Sequence, residues 1–388
     1  MIRSVLASVV LAGLDVVDAD GGRPLLGRRV GLVAHAASVT LDGRHASDVL
    51  RARGVPVLRL FAPEHGLRGD APAGQAVKGG VDQGSALPVV SLYGARRAPS
   101  RDDLRDLDAL VVDLQDAGVR FYTYASTLLL CLEAAAEAGI ALVVLDRPNP
   151  LGGHNVAGPV SDRPEGFLSM APGPLIHGLT LGELARVANS RRTRPARLEM
   201  VAMRGWRREM TWADTGRAWT PPSPNLRSAE AALAYPAVAL LEATNLSEGR
   251  GTATPFLLFG APWLDTAALL ARLGSPGYAL EPASFTPRAD AAAPDPKHRG
   301  AECRGVRVRV TEAAAARPWS FGLELLHTLR GTAGFAWLCE GRSLDALLGT
   351  DRVRRALHRG DAPQALLLAD APALAAFRRE RERFLLYP

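Results

Sequence analysis

Residues 107–118 read LDALVVDLQDAG, and this stretch decides the fold. Its apolar run, Ala109 to Val112, has no polar alternation. The strand it predicts is therefore buried on both faces, as in a parallel sheet covered by helices. The strand ends at Gln115 and Asp116. On the C-terminal side, IALVVLD at 140–146 repeats the pattern, and the Ala/Leu-rich stretch between them predicts a helix over about Thr127 to Ala138. On the N-terminal side lie a strand at Val30–Ala34, a helix over 45–53, a strand at Val55–Leu60 (VPVLRL) and a strand in PVVSLYG at 88–94. Strands alternating with helices imply right-handed crossovers, a mostly parallel sheet and the α/β class.

Each apolar strand runs into a polar cluster at its C-terminal end: PEHG, LYG, LQDAGVRFYTY and DRPNPLGG. Ligands of open α/β sheets bind outside those ends, so the four clusters are expected to line one crevice. The densest is FAPEHGLRGD, Phe61 to Asp70, with Glu64, His65, Arg68 and Asp70 set around Gly66 and Gly69. Pro63 fixes one backbone angle and the glycines permit turns, so the polar side chains can converge. Glu64 is read as a catalytic carboxylate. Taken alone, the loop would be read as an internal Glu–Arg pair; the three companion clusters favour a site.

No GxGxxG or GxxxxGK[ST] follows the first strand, so a nucleotide cofactor is not expected, and HExxH and GxSxG are absent. Cys131, Cys303 and Cys339 lie far apart without CxxC spacing, which suggests neither a zinc site nor a disulfide framework and fits a reducing compartment. The +6 net charge comes from scattered arginines, with Lys78 and Lys297 the only lysines, so no nucleic-acid partner is expected. The N-terminal run MIRSVLASVVLAG mimics a signal peptide but flows straight into GLDVV, as a first amphipathic helix would; a cytoplasmic protein is expected. No stretch approaches the roughly 20 apolar residues of a membrane helix.

At 388 residues two domains are expected. Thr180, with Glu183 three residues on, predicts a capping box, so Glu183 is structural. LEMVAM at 198–203 is a strand. The proline-rich TPPSPN, 220–225, precedes a boundary placed between 228 and 229. Beyond it, the loop Thr244–Thr252 holds Asn245, Ser247, Glu248 and Arg250; composition leaves a site and a solvated charged hairpin equally open. A strand at 304–312, a helix at 320–330 and an Arg/Ala-rich helical tail follow.

FAPEHGLRGD, LPVVSLYG, DLQDAGVRFYTY, LDRPNPLGG, HGLTLGEL, PPSPN and EATNLSEGRGTATPF with FGAPW resemble the NamZ-type exo-β-N-acetylmuramidases, a family long catalogued as a domain of unknown function. The likeness runs in order from about Gly13 to Thr311 and weakly to Tyr387. It implies a Rossmann-like catalytic domain over 1–228, a mostly parallel sheet with helices on both faces, and a smaller α+β domain over 229–388 that closes the cleft. It also implies release of terminal N-acetylmuramic acid from the non-reducing end of peptidoglycan fragments. The family's catalytic glutamate maps onto Glu64, and His65, Arg68, Asp116, Arg120, Tyr122, Tyr124, Asn149, Asn245, Glu248 and Arg250 carry over as site residues. Two positions depart from the family pattern: Ala157 replaces the acid of VEGP, and Leu257 the acid of PFE. Loss of these acids is what motivates the rival reading, an inactive sugar-binding homologue.

Glycoside hydrolysis needs a carboxylic acid to protonate the leaving oxygen and a second group to assist water or form an intermediate. Glu64 is the acid candidate; Asp116, Glu248 and His65 are candidates for the second role, and the sugar's own acetamido oxygen is another route. The lactyl carboxylate that distinguishes muramic acid calls for a guanidinium, with Arg68, Arg120 and Arg250 the contenders. Of Tyr122 and Tyr124, one is expected to face the sugar and the other the core.

Overall fold

The computed structural model describes residues 9–274 and 276–388. Its first half is built on β1 (Val30–Ala34), β2 (Val57–Ala62), β3 (Gly80–Val81), β4 (Pro88–Ser91), β5 (Ala109–Asp113) and β6 (Ala141–Leu145). A small hairpin of β7 (Ala157–Val160) and β8 (Pro174–Ile176) follows, and β9 (Arg197–Val201) then rejoins the sheet. The seven-stranded order is β3-β4-β2-β1-β5-β6-β9, parallel throughout except at the β3–β4 edge. Counted among the parallel strands alone, this is the doubly wound order 3-2-1-4-5-6.

Both sheet faces are covered, which is why the central strands read as unbroken apolar runs. Val30, Leu32, Leu60, Val111 and Val143 point to the face packed by helices Gly13–Ala19 and Ala46–Ala52. Phe61, Leu110, Val112 and Val144 point to the face packed by helices Thr123–Ala138 and Leu181–Ser190. Gly31 is required by this packing, since a Cβ there would stand 2.6 Å from the Phe61 ring and 2.7 Å from Leu107. The GLDVV stretch is a buried helix; the first eight residues of the apolar run before it lie outside the described residues. Among the described residues no helix is long and apolar enough to cross a membrane.

The helix expected from Thr127 begins at Thr123. FYTY reads as strand-like alternation, yet Tyr122 is the residue before the helix and Tyr124 lies in its first turn. So short an aromatic run does not distinguish the two periods. The shift puts the Thr123 hydroxyl at the helix start, where it becomes part of the site.

In the second half, helices Ala229–Val238 and Pro318–Leu329 pack together over an antiparallel sheet ordered β10 (Leu258–Ala261), β12 (Cys303–Val310), β11 (Tyr278–Phe285). The last helix, Pro363–Arg381, leaves this unit and packs against the β7–β8 hairpin. Arg381 donates to the carbonyls of Gly153, His177 and Gly178, so the chain ends against its own first half.

Candidate active site

β2 delivers Ala62 to the sheet edge, and Pro63 starts a tight turn in which the Gly66 N–H donates to the Pro63 carbonyl at 3.0 Å. His65 sits at φ 69°, a left-handed conformation unusual for a residue with a Cβ. The turn aims Glu64 inward, where it is 6 % exposed. Its Oε1 accepts the Gly74 N–H at 2.7 Å and its Oε2 the Thr123 hydroxyl at 2.6 Å. A backbone amide and a helix-start hydroxyl thus fix the carboxylate's orientation.

Glu64 opens on a cavity of about 300 Å³, at the small end of ligand-site volumes. The first half contributes Glu64, His65, Tyr93, Phe121, Tyr122 and Thr123; the second contributes Tyr235, Glu242, Arg250 and Phe256. Phe121, Tyr235 and Phe256 form an edge-to-face wall, with centroids 5.5 and 4.7 Å apart. Phe256 also holds a left-handed φ of 64°, so two of the non-glycine residues with such backbones line this one cavity. Backbone strain of this kind concentrates at functional sites.

Against the Phe256 end of this wall, with its guanidinium 5.1 Å from the ring, Arg250 pairs with Glu242 at 2.7 Å and with Glu248 at 3.2 Å. Burial opposes its charge, but Glu242 and Glu248 together hold it above the ordinary guanidinium value. Its Nη1 has no protein partner among the described residues. Burial first, then the neighbouring Glu64 carboxylate, pushes the Tyr93 hydroxyl up to about 12, so at neutral pH it is a proton-bearing donor beside Glu64. Burial lowers the His65 pKa against the opposing pull of Glu64. Nδ1 faces the Ala71 carbonyl at 2.8 Å, which can only accept; the proton is therefore on Nδ1 and Nε2 carries the lone pair.

The other residues marked in the sequence lie outside the cavity wall. Arg68 is largely exposed and pairs with Asp82 at 2.6 Å. Arg120 is fully buried and donates to the carbonyls of Pro159, Gly173 and Leu348, as a strut between the two halves. Tyr124 donates to Pro222 O at 2.7 Å and lies in the core, whereas Tyr122 lines the cavity. Asn149 bridges Leu179 O and Leu151 N, and Asn245 bridges Gly334 O and Ala336 N. Glu248 is 3 % exposed behind Arg250 and also pairs with Lys297 at 3.1 Å, so its loop is no solvated hairpin. Asp116 is buried: its Oδ2 accepts the Gly118 N–H at 2.7 Å, its Oδ1 has no partner, and burial raises its pKa to about 7.

DRPNP, expected to line the crevice, is spent on structure. Arg147 closes a buried ion pair with Asp113 at 2.5 Å, and Asp146 accepts from Thr180 and Tyr387. The cavity is accordingly displaced from the β1–β5 switch point toward β2 and β4. At the switch point the Gln115 N–H donates to His35 Nε2 at 3.0 Å, and beside the Arg147–Asp113 pair only about 60 Å³ stays open. A larger surface hollow of about 600 Å³ is lined by arginines and glutamates, among them Arg192 and Glu133, and contains none of these site residues. Among the described residues, no group of three or more His, Cys, Asp or Glu could hold a metal ion.

Sequence reasoning passed over Tyr235, Glu242 and Phe256; Tyr93 and Thr123 lie in the LYG and LQDAGVRFYTY clusters expected to line the crevice but were not named individually as site residues. One signal was available: Glu242 is a lone acid in the apolar stretch VALLEAT, and an acid there needs a partner. Ala157 and Leu257, the two departures, lie outside the cavity wall; Ala157 faces a separate crevice and Leu257 is buried in the main core.

With this geometry established, comparison with known proteins is specific. The model of the exo-β-N-acetylmuramidase NamZ N-terminal domain matches residues 30–230, and that of the C-terminal domain residues 233–387. The chain belongs to this family of exo-acting glycosidases. It is 38 % identical over 386 residues to the peptidoglycan β-N-acetylmuramidase NamZ of Bacillus subtilis, covering 97 % of this chain and 91 % of the relative. Two crystal structures of DUF1343 family proteins from Bacteroides fragilis share the fold. One has a TM-score of 0.87 at 31 % identity and the other 0.78 at 28 %, each covering 98 % of this chain and 99 % of the neighbour.

Proposed function

We propose that this chain releases terminal N-acetylmuramic acid from the non-reducing end of peptidoglycan fragments, with Glu64 as the acid that protonates the leaving oxygen. The observation that carries this reading is a buried, doubly held carboxyl sharing a single-sugar-sized cavity with the guanidinium of Arg250. Glu64 is the one carboxylate on that wall without a cationic partner among the described residues; Glu242 pairs with Arg250. Arg250 presents its free Nη1 to the lactyl carboxylate, and the aromatic wall packs the apolar face of the sugar. Glu242 and Glu248 act through Arg250 by fixing its fork.

The inactive-homologue reading loses its motivation, since neither Ala157 nor Leu257 touches the cavity. Release of N-acetylmuramic acid from a chromogenic β-muramide tests the proposal. Wild-type protein turns the substrate over, and Glu64→Gln, which keeps the shape but removes the acid, lowers kcat by about two to four orders of magnitude. Binding without turnover in the wild type would reinstate the binding-protein reading.

A further inference from the structure

Outside the cavity wall, at its mouth, stands a guanidinium that the chemistry above does not use. Arg97 is exposed, and among the described residues it has neither an ion-pair partner nor a hydrogen-bond acceptor. Its neighbours behave differently: Arg96 pairs with Asp103 at 2.7 Å, and Arg105 reaches Asp102. Arg97 is held instead by rings. Its Cζ lies 4.2 Å from the Phe167 centroid and 5.9 Å from that of Tyr93, and the two rings are 6.0 Å apart. Tyr93 lines the Glu64 cavity, and Leu168, next to Phe167, lines it too, so this cluster adjoins the cavity rim.

An exposed arginine ordinarily finds a carboxylate or stays solvated; one set against two aromatic rings is held in place with its N–H groups left free. Such a surface suits a sugar. The rings offer apolar faces to its C–H groups, and the guanidinium edge donates to its hydroxyl and acetamido oxygens. The cavity accommodates one sugar. Whatever is joined to that sugar must leave past its mouth, where Tyr93, Arg97 and Phe167 stand.

We infer that Tyr93, Arg97 and Phe167 form a platform for the saccharide on the leaving side of the cleaved bond, so that Arg97 selects for a sugar leaving group. This rests on the function proposed above and adds to it a second subsite. Arg97 touches the part of the substrate that departs and takes no part in moving protons.

The test compares two substrates that share the muramic acid and differ on the leaving side. One is the disaccharide in which it is β-linked to N-acetylglucosamine, the other its β-glycosyl fluoride, which has no leaving sugar to stack. For Arg97→Ala the ratio of kcat/KM, disaccharide over fluoride, should fall about tenfold, chiefly through KM for the disaccharide. Phe167→Ala, which removes the support under the guanidinium, should lower the ratio in the same direction. Arg97 is exposed, so its replacement leaves folding intact, and a ratio is insensitive to the active fraction. If the ratio stays within twofold of wild type in both variants, the platform is wrong while the muramidase reading stands. If the wild type hydrolyses neither substrate, the proposed function fails first and the platform with it.

Discussion

Arg250 is the residue on which substrate discrimination turns. Two carboxylates hold it in the cavity wall at 2.7 and 3.2 Å and leave one amino group free. Arg68 and Arg120, the other contenders, are committed to Asp82 and to three carbonyls. A charge-assisted pair with the lactyl carboxylate is worth roughly 1.5–3 kcal/mol. Arg250→Ala should therefore cut the preference for an aryl β-muramide over the matching glucosaminide by about one to two orders of magnitude. Because the variant leaves Glu242 unpaired, absolute rates will also reflect lost stability; the preference itself will not. An unchanged preference would remove Arg250 from recognition. Glu64 was legible in the sequence because its turn carries its own signals: a strand end, Pro63, and glycines that tolerate positive φ. Glu242 could be read only as a lone acid in need of a partner; its place in the cavity could not, because that depends on the second half folding back over the first.

At the scale of elements, the end of the chain acts as a latch on the sheet. Tyr387 donates to Asp146 Oδ2 at 2.6 Å and accepts the Met203 N–H at 3.1 Å. The Leu386 N–H reaches Glu183 Oε1 at 2.9 Å, and Glu183 in turn pairs with Arg208 at 2.7 Å. Glu183 thus caps its helix as its spacing from Thr180 predicted, and it also ties down a tail 203 residues away. Local capping chemistry can be read from four residues; a contact across the whole chain cannot. Burial pushes Asp146 up to about 6 even with its donors present, so taking one away leaves a buried acceptor uncompensated. Tyr387→Phe keeps the ring's packing against Trp206 and removes only the hydroxyl. It should cost about 1–3 kcal/mol in urea unfolding. A loss below about 0.5 kcal/mol would mean that the tail is held by packing alone.

The architecture of the whole molecule was legible because doubly buried strands and amphipathic helices leave opposite patterns. The position of the cavity was less so, since the switch-point rule takes no account of the His35, Gln115 and Arg147 plug. Burial on this scale also sets the response to acid. His35, His45, His65 and His177 all have pKa values lowered by burial, His177 to about 3. Each contributes stability that is present above the unfolded value near 6.5 and is lost as pH falls through the folded one. Asp116 and Asp146 are raised by burial, to about 7 and about 6, and act in the opposite sense. Their contribution is present below about pH 4 and is lost as pH rises through those values. On acidification from pH 6.5 the four imidazoles lower stability and the two carboxyls oppose them. Asp116→Asn isolates one of the opposing contributions. The amide cannot ionise, so the variant should be more stable than wild type at pH 8, where the buried carboxylate is charged with one oxygen unpartnered. By the same reasoning it should lose stability more steeply on the way to pH 5, because a group that favoured the folded state in acid is gone. Urea midpoints at half-unit pH intervals for both proteins would check this, and an unchanged slope in Asp116→Asn would show that Asp116 is ionised in the folded protein throughout the range.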